Sequence, residues 1–403
     1  MIHLHEATNC GFNLTRFLSK GKIDSTRNKN ILHITTYLQG GAGRTITELV
    51  KSQDKAGAII RFVCAETEYP GYCNYPEYMN ALSNSSADTL KVDSTFKRDA
   101  HSRKRAIEAI RSILSNSKID LVHCHAPNAS SIALEVLAEL SVEVPLIQTM
   151  HGWGNNKTPE QERTDLKSVS QVDRLIVVSR SSADLLIAKG VPENRLRFIP
   201  NGVKLQGVPS SMDEPEAIAS PETKRILCLG TLCRRKNQGL LIEALSEIDR
   251  AKIPFQCVFI GEGEDREFLE ELTDKLGLRN CIQFMGYIQN AAALVPTFDL
   301  LVSPSLSEGM PLAVLEAFGS RVPTIASDTP EHKELIEDGS TGFLFVSDNR
   351  ASLVESLQRF FASNPDALDS MVDSSEAIFR ENYAFENIIK AYDRLYRELL
   401  VKP

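Results

Sequence analysis

The stretch Ser303 to Glu316, SPSLSEGMPLAVLE, sets two carboxylates around the start of a helix. Pro311 suits the first helical position, where its missing N–H group costs nothing. The free N–H groups and the positive dipole end of such a helix attract phosphate. Glu308 precedes the helix and Glu316 lies on it, so their side chains can reach opposite ends of a ligand whose diphosphate lies between them. This spacing predicts a site for a nucleotide sugar.

Length and composition indicate a two-domain globular enzyme. The chain has 403 residues, of which 42% are hydrophobic and 24% are charged, and its net charge is -8. That length allows two domains with separate cores, and the negative charge argues against nucleic acid as a partner. No apolar run is long enough to span a bilayer, and the N-terminus lacks the apolar core of a signal peptide, so we expect a cytoplasmic protein.

The cysteines give no sign of a zinc site or of a disulfide framework. The sequence contains eight of them, without a C-x-x-C pair or a companion histidine pattern. In a cytoplasmic protein, scattered cysteines of this kind are reduced thiols. We therefore predict no metal site and no cofactor.

Short apolar runs alternate with helical patterns along the chain, which is typical of parallel sheets covered on both faces. The first series of candidate strands comprises Asn30–Thr35, Ile59–Ala65, Leu121–His125, Pro145–Thr149 and Arg174–Val178. The second series comprises Arg225–Leu229, Gln256–Ile260, Ile282–Met285, Leu300–Ser303, Thr324–Ser327 and Gly342–Val346. Helical patterns include Thr45–Ser52, Arg103–Leu114, Ser130–Leu140 and Phe385–Leu400. The sequence therefore predicts two α/β domains.

Domain boundaries are expected where this pattern stops and restarts. Residues 1–29 fit neither series and are interpreted as an N-terminal extension. Residues 30–204 form the first predicted domain and residues 225–380 the second. The segment 205–224 between them is rich in proline, serine and acidic residues without an apolar period, as in a linker. Residues 381–403 carry the last helical pattern.

Unusual residue clusters follow several candidate strands, at the sheet edge where parallel sheets bind ligands. Gly40 and Gly41 belong to the loop QGGAGR, in which a backbone can approach a ligand closely, although such a loop can equally be a structural turn. The loop HGWG sets His151 beside the single tryptophan, Trp153. We expect His151 to be exposed in a cleft, and the alternative is a surface loop that the tryptophan anchors.

A basic cluster follows the first strand of the second series. Arg234, Arg235 and Lys236 are consecutive, and together they can offset the charge of a diphosphate. A short basic run is more often a solvated surface, but its position directly after a strand favours a binding site.

The run SEGMPLAVLEA resembles the E-x7-E signature of the retaining glycosyltransferases of family 4, with Glu308 and Glu316 as its two glutamates. Other segments resemble that family in the same order, over about residues 30 to 400. They are Gly40-Gly41, His123-Cys124-His125, His151-Gly152, Val178-Ser179, Ile199 to Val203, Gly230 to Gln238 and Gly261 to Gly263.

The resemblance implies the GT-B architecture, in which two Rossmann-like domains face each other across a cleft and the last helix crosses back to the first domain. It implies that the second domain holds the nucleotide sugar and that the first holds most of the acceptor. Glu316 would bind the ribose, Glu308 the transferred sugar and Lys236 the diphosphate. The other donor-binding residues implied are Gly40, Gly41, Arg234, Arg235, Gly309, Met310, Pro311 and Leu312, and the acceptor residues are His151, Trp153 and Asn201.

The resemblance also implies hexosyl transfer from UDP or GDP with retention of configuration, without a metal and without a protein nucleophile. Glu308, His151 and Lys236 would be the catalytic residues. A double displacement of the glycosidase type fits less well, because both glutamates flank a helix start rather than a bond. The implied acceptor is a saccharide or a lipid-linked molecule of bacterial-type surface polysaccharide or glycolipid synthesis. The alternatives are a nucleotide-sugar epimerase or phosphorylase of the same fold, and a scaffold subunit that has lost turnover.

Three further features of the sequence require structural information. Thr231 stands where many family members have arginine, so the counter-charge must come from Arg234 or Arg235. Pro330-Glu331 and Glu334 replace the Gly-Gly pair that often precedes a glutamate in the family. The basic stretch KRDAHSRKRAIEAIR, residues 97–111, predicts either a solvated helix or peripheral contact with an anionic membrane.

Overall fold

The computed structural model describes residues 25–68, 72–92, 98–154, 157–205, 207 and 222–400. Residues 1–24 of the predicted extension, and 206 and 208–221 of the predicted linker, lie outside the described residues. Two parallel sheets, one in each half of the chain, organise the rest. The prediction of an α/β fold with two sheets is therefore confirmed.

The first sheet has strand order β3-β2-β1-β4-β5-β6-β7, and all of its pairings are parallel. Its strands are β1 (Asn30–Ile34), β2 (Ile59–Cys64), β3 (Asp88–Lys91), β4 (Leu121–Cys124), β5 (Leu146–Met150), β6 (Arg174–Val177) and β7 (Leu196–Phe198). The connecting helices are α1 (Gly40–Lys55), α2 (Tyr75–Ser83), α3 (Ala100–Asn116), α4 (Pro127–Leu140), α5 (Pro159–Val169) and α6 (Arg180–Ala188). The central strands are buried almost throughout, as expected for a sheet with helices on both faces.

The second sheet has strand order β10-β9-β8-β11-β12-β13. Its strands are β8 (Lys224–Leu229), β9 (Phe255–Ile260), β10 (Ile282–Gly286), β11 (Leu300–Ser303), β12 (Thr324–Ser327) and β13 (Phe343–Phe345). The helices of this half are α7 (Gln238–Ser246), α8 (Arg266–Lys275), α9 (Leu312–Gly319), α10 (Pro330–Lys333), α11 (Arg350–Ala362) and α12 (Pro365–Ile378). In both sheets the strand order reverses beside the first strand, which opens a crevice at the carboxyl ends.

The last helix, α13 (Phe385–Leu400), packs against the first sheet although it follows the second in sequence. Its buried side chains Ile388, Tyr392 and Tyr396 share a core with Ile31 and Leu121. A short bridge pairs Val203 with Ala384 where the chain crosses between the halves. Ser25, the first described residue, is hydrogen-bonded to Asp393 of the same helix. None of the helices in the described ranges combines the length and apolarity that spanning a bilayer requires.

The structure adds two strands that the sequence pattern did not predict, β3 and β7. Both lie at the edges of the first sheet, where only one neighbour imposes pairing. Strand β3 is DTLK, with a single large apolar residue, Leu90, and β7 has only three residues. Neither contains the continuous apolar run that marks a central parallel strand.

Several predicted helix starts were wrong by one to five residues: α3 and α4 each begin three residues before the predicted Arg103 and Ser130, and the starts of α1 and α9 also differ. Helix α1 begins at Gly40 rather than at Thr45, so the glycines form its first turn. Pro311 is the N-cap of α9 rather than its first helical residue, because its ψ of 87° is not helical. The helix itself begins at Leu312, and its free N–H groups still open toward the crevice.

Candidate active site

The carboxyl-end loops of the two sheets line one cleft of about 1900 Å³. Nearly all of the predicted site residues border it, although they come from both halves of the chain. These residues are Gly40, Gly41, His151, Trp153, Asn201, Arg234, Arg235, Lys236, Glu308, Gly309, Met310, Leu312 and Glu316. Pro311 is the exception, since it is buried beneath the helix start and does not line the cleft.

Glu308 is held in an ionised state by the basic cluster. Lys236 Nζ lies 2.6 Å from its Oε1 atom, and Arg235 Nη1 lies 3.0 Å from its Oε2 atom. Ser305 donates a further hydrogen bond to Oε1, at 2.7 Å. Burial raises the pKa of Glu308, but Lys236 and Arg235 outweigh that effect and lower it to about 2. The predicted sugar-binding carboxylate is therefore charged and fixed in position before any ligand arrives.

Arg234 differs from its two basic neighbours. The three residues form a single 3₁₀ turn, Arg234–Lys236, which follows β8. Arg235 and Lys236 turn toward Glu308, although Arg235 stays 43% exposed, and Arg234 is exposed at the edge of the cleft. Arg234 and Arg235 both remain candidates for the counter-charge that was expected in place of an arginine at Thr231.

Glu316 forms a buried ion pair with Arg44 of the opposite domain. Its side chain is only 4% exposed, and that of Arg44 is 27% exposed. Burial raises the pKa of Glu316, and the guanidinium of Arg44 opposes that shift. Arg44 ends the glycine loop QGGAGR, and no role was predicted for it from the sequence. Its position beside two cleft glycines was the only signal that could have identified it.

Two glycines allow the opposing loops to approach one another. A Cβ atom on Gly309 would collide with the carbonyl oxygen of His151. A Cβ atom on Gly41 would lie 2.9 Å from Cδ1 of Leu312, which is too close for a carbon pair. The His151 loop therefore rests directly on the loop that carries Glu308, and the first turn of α1 rests on the start of α9.

His151 is half-buried rather than exposed, which corrects the prediction. Its Nε2 atom lies 3.5 Å from Nδ1 of His125, while its own Nδ1 atom is covered and has no hydrogen-bond partner among the described residues. Burial lowers the pKa of His151 to about 4, so the ring is neutral at pH 7. It still lines the cleft, as predicted.

The two other predicted acceptor residues contribute less surface to the cleft than expected. Trp153 is 9% exposed and packs in the core of the first domain, with Lys157 Nζ 3.3 Å from its ring centroid. Asn201 is 4% exposed, and its Oδ1 atom is buried without a partner in the described structure. Trp153 thus anchors its loop, in agreement with the alternative prediction of a surface loop held by the tryptophan. Asn201 has an acceptor atom without a partner at the cleft edge.

A row of polar side chains lies on one otherwise apolar face of the first sheet. Successive strand residues alternate between faces, so His33 of β1 lies beside His123 of β4, its register partner, on the face that α1 and α13 cover. His125, Thr149 and His151 continue the row toward the cleft. The His123 to His125 segment was expected only from its resemblance to the family, and no role was predicted for His33.

Hydrogen bonds occupy both ring nitrogens of His33 and of His123 in this row. His123 uses both nitrogens, one with Tyr396 at 2.6 Å and one with Thr149 at 2.8 Å. His33 contacts His125 at 3.0 Å and Gln53 at 2.7 Å. The three rings His33, His123 and His125 are the only cluster of three possible metal ligands within the described part of the chain. A metal there would have to break these bonds, so the row fits a hydrogen-bond network better than a metal site.

The loop of the second domain that contains Glu331 and Glu334 contacts the first domain, away from the centre of the cleft. Glu334 accepts hydrogen bonds from the backbone N–H groups of Arg180 and Ser181, at 2.8 and 2.6 Å. Glu331 accepts one from the Ser181 hydroxyl, at 2.9 Å. Glu334 therefore caps the N-terminus of α6, where the helix dipole favours negative charge, and Glu331 binds the Ser181 side chain beside it. Through these hydrogen bonds, Glu334 links the second domain to the first.

The basic stretch before and along α3 carries less free charge than its sequence suggests. Most of its cations are paired with carboxylates of neighbouring elements, and Lys97 lies outside the described residues. The pairs are Arg98 with Asp165, Arg103 with Glu135, Lys104 with Glu108, Arg105 with Glu66 and Arg111 with Glu139. This pairing of cations with carboxylates favours the alternative in which α3 is a solvated helix.

Comparison with known families and proteins agrees with this geometry. The family model described as Glycosyl transferases group 1 matches residues 212–376, and the one described as Glycosyltransferase Family 4 matches residues 39–206. Among relatives, an alpha-1,4-N-acetyl-D-galactosaminyltransferase of Campylobacter jejuni, whose name specifies a diNAcBac-PP-undecaprenol acceptor, is 26% identical over 81% of this chain and 86% of its own. A galactosyltransferase of Escherichia coli, whose name specifies UDP-Gal and a diphosphoundecaprenol acceptor, is 25% identical over 63% of this chain and 70% of its own.

Solved structures match over almost the whole chain. A glycosyltransferase from Rickettsia africae has a TM-score of 0.76 at 18% identity, covering 93% of this chain and 100% of its own. HepE of Anabaena, solved with UDP and glucose, has a TM-score of 0.76 at 15% identity, covering 92% of this chain and 100% of its own. These matches confirm the GT-B architecture that the sequence resemblance implied.

Proposed function

The chain belongs to the group 1 glycosyltransferases, and we propose that it moves a hexosyl group from a UDP- or GDP-sugar to a hydroxyl acceptor. The acceptor is a saccharide or a lipid-linked molecule of surface polysaccharide or glycolipid synthesis. The relatives from Campylobacter jejuni and Escherichia coli, whose names specify undecaprenol-linked acceptors, support this choice.

The observation that carries the proposal is the pairing of each cleft glutamate with its own cation on opposite sides of one helix start. Glu308 is bonded to Lys236 and Arg235, and Glu316 is bonded to Arg44. A nucleotide sugar laid across α9 would bring its ribose hydroxyls to Glu316 and its sugar hydroxyls to Glu308. Its diphosphate would then meet the free N–H groups of the helix and the basic turn.

Retention of configuration and independence from metal are part of the same proposal. The departing diphosphate needs positive charge, which Lys236 and the neighbouring arginines supply without a metal ion. Glu308 is already committed to two cations and a hydroxyl, which suits it to hold the sugar rather than to attack its anomeric carbon. The acceptor hydroxyl would attack on the face from which the diphosphate departs, with catalysis mainly by positioning.

A screen of the purified protein against a panel of nucleotide sugars tests this function. We expect UDP- or GDP-hexoses to raise the thermal midpoint, since a ligand at a hundred times its dissociation constant adds about 2.7 kcal/mol to the free energy of unfolding. Absence of any shift would favour a scaffold that has lost turnover. Formation of a new nucleotide sugar, or of a sugar phosphate, without an acceptor would favour an epimerase or a phosphorylase.

A cytoplasmic location with peripheral membrane contact completes the proposal, because lipid-linked acceptors lie in a membrane. Sedimentation with anionic vesicles tests whether α3 takes part. Binding through this helix should weaken with added salt and with neutralisation of Arg103, Lys104 and Arg105 together. Because those cations are paired, we expect the effect to be small.

A further inference from the structure

A continuous chain of hydrogen bonds runs from α1 through the first sheet to the cleft. Gln53 Oε1 lies 2.7 Å from Nε2 of His33, and Nδ1 of His33 lies 3.0 Å from Nε2 of His125. Nδ1 of His125 lies 3.5 Å from Nε2 of His151. Each ring thus turns Nε2 toward Gln53 and Nδ1 toward the cleft, in a consistent head-to-tail order, and the row ends at Nδ1 of His151.

The side-chain amide of Gln53, at the end of the row farthest from the cleft, determines which atom is the donor in each of these hydrogen bonds. An amide oxygen only accepts, so Nε2 of His33 carries a proton, and the Nδ1 atom of that neutral ring has a lone pair. His125 must then donate from Nε2 to His33, and His151 must donate from Nε2 to His125. A single acceptor atom on Gln53 therefore fixes the tautomer of a ring two histidines away.

We propose that Gln53, His33 and His125 are positioning residues that hold His151 as the Nε2–H tautomer, with Nδ1 as an acceptor for a hydroxyl of the bound sugar or acceptor. Nδ1 is covered in this structure, so the ring or its loop must shift for that contact to form. A covered acceptor without a partner is costly, and a ligand hydroxyl removes that cost. The inference deepens the proposed function and rests on it for the identity of the hydroxyl. The tautomer itself can be measured without any ligand.

The hydrogen-bonded row fixes the tautomers of its rings and does not conduct protons away from the cleft. A proton taken up by Nδ1 of His151 could pass inward as far as His33, but the amide of Gln53 has no site to receive it. The proton could not leave through His123 either, because Tyr396 and Thr149 are hydrogen-bonded to both of its ring nitrogens. Burial also lowers the pKa of His33 and of His151 to about 4, so the rings remain neutral at pH 7.

The decisive measurement is the tautomeric state of each ring in protein labelled with ¹⁵N-histidine, read at pH 7.5 from two-bond ¹H–¹⁵N spectra. Single histidine substitutions assign the signals. We expect His33, His125 and His151 all to be neutral with the proton on Nε2. A proton on Nδ1 of His151 would overturn the proposal, as would loss of the His33 and His125 signals on adding Zn²⁺, which would indicate a metal site instead.

Variants at the inner end then test the coupling. Gln53→Leu removes the acceptor, so the signals of all three rings should move toward a mixture of tautomers. Gln53→Glu keeps an acceptor at the same place and should restore the Nε2–H pattern. Gln148→Leu is the matched control, because it removes a buried amide from the other face of the same sheet, where its partner is Ser130. Unchanged ring signals in Gln53→Leu would refute the coupling.

Turnover of UDP-glucose, measured beside UDP binding, separates this inference from the proposed function. Gln53→Leu should lower kcat about tenfold, the effect of one neutral hydrogen bond, with UDP affinity unchanged. Gln53→Glu should recover most of the loss, and Gln148→Leu should show none. A confirmed tautomer lock in a protein that turns over no nucleotide sugar would contradict the function alone. A normal kcat in Gln53→Leu with mixed tautomers would contradict the role of the lock.

Discussion

The two walls of the cleft bind with different chemistry. The wall of the second domain is ionic, with Glu308 fixed between Lys236 and Arg235. The wall of the first domain is built around the neutral ring of His151, at the end of a buried histidine chain, although it also carries the paired cation Arg44. A departing diphosphate requires countercharge, whereas a sugar hydroxyl requires only a well-placed donor or acceptor. In the proposed function these tasks are divided between the domains, while the Arg44–Glu316 pair and the close contact of Gly309 with His151 join the two walls.

Removing the charge of Glu308 should have the largest effect. We expect Glu308→Gln and Glu308→Ala to lower kcat by about 10² to 10³ with little change in UDP affinity, because the proposed role of this carboxylate is to hold the sugar and not the nucleotide. Steady-state kinetics and calorimetric titration with UDP measure the two quantities. Glu247→Gln removes an exposed carboxylate of the same domain that pairs with Arg350, and it should leave both unchanged. Full turnover in the Glu308 variants would refute the ionic assignment.

Forcing the walls apart should come next. Gly309→Ala places a Cβ atom against the carbonyl oxygen of His151, so one loop must move. Since a misplacement of about 1 Å can cost about a hundredfold in rate, we expect a loss of that order with the fold retained. Gly152→Ala is the control on the facing loop, because its Cβ atom would meet nothing within 4 Å. Equal activity in the two variants would show that the contact between the loops is unimportant.

The ion pair that joins the walls should have an intermediate effect. Arg44→Met leaves Glu316 buried without its cation, and breaking a buried pair from one side costs about 3 kcal/mol. Arg44→Met combined with Glu316→Gln should recover much of that stability, while UDP affinity should fall in every variant that lacks Glu316. Urea unfolding and UDP titration of the four proteins give the double-mutant cycle. Independent, additive effects on stability would contradict the pairing.

Acid should weaken the neutral wall before the ionic wall. The folded pKa of His33 and of His151 is about 4, below the value of 6.5 for an unfolded histidine, so the unfolded state binds more protons between those limits. Stability should therefore fall as the pH drops from 6.5 toward 4, by about 1.4 kcal/mol per pH unit for each such ring. The pKa of Glu308 is lowered from 4.5 to about 2, so its contribution is complete above 4.5 and is lost as the pH falls through about 2.

Urea unfolding at a series of pH values separates the two windows. His151→Gln should flatten the dependence between pH 6.5 and 4 by one proton and leave the acid limb as it is. Glu308→Gln should do the reverse, reducing the dependence below pH 4.5 by one proton and leaving the window between pH 6.5 and 4.5 as it is. An identical pH dependence in both variants would show that the walls do not titrate as described.

Much of this architecture was predictable because a parallel sheet with helices on both faces has a strong local signature. Nine of the predicted strands correspond to central or well-paired strands, for example Leu300–Ser303 and Thr324–Ser327, which the structure reproduces residue for residue. The edge strand β3 was not predicted because it pairs with only one neighbouring strand, β2, and three of its four residues are polar. The start of α9 was misplaced by one residue because a proline also fits the N-cap position.

Site residues were predictable where they follow strands, since parallel strands bring their carboxyl ends to one edge. The loops that contain His151, Lys236 and Glu308 were expected at the cleft and line it. The partners of these residues were not predictable. Arg44 lies 272 positions from Glu316, and Ser181 lies 153 positions from Glu334, so no local pattern links them.

The amino-acid sequence by itself determined the order of strands and helices, the division into two sheets and the loops that carry chemistry. Those features depend on apolar period, turn residues and chain direction, which are local properties. Only the tertiary structure decided which charges are neutralised, which histidine nitrogen lacks a partner and which acidic residues join the domains. Those outcomes depend on burial and on contacts between distant segments, because a side chain's charge and tautomer are set by the atoms that surround it.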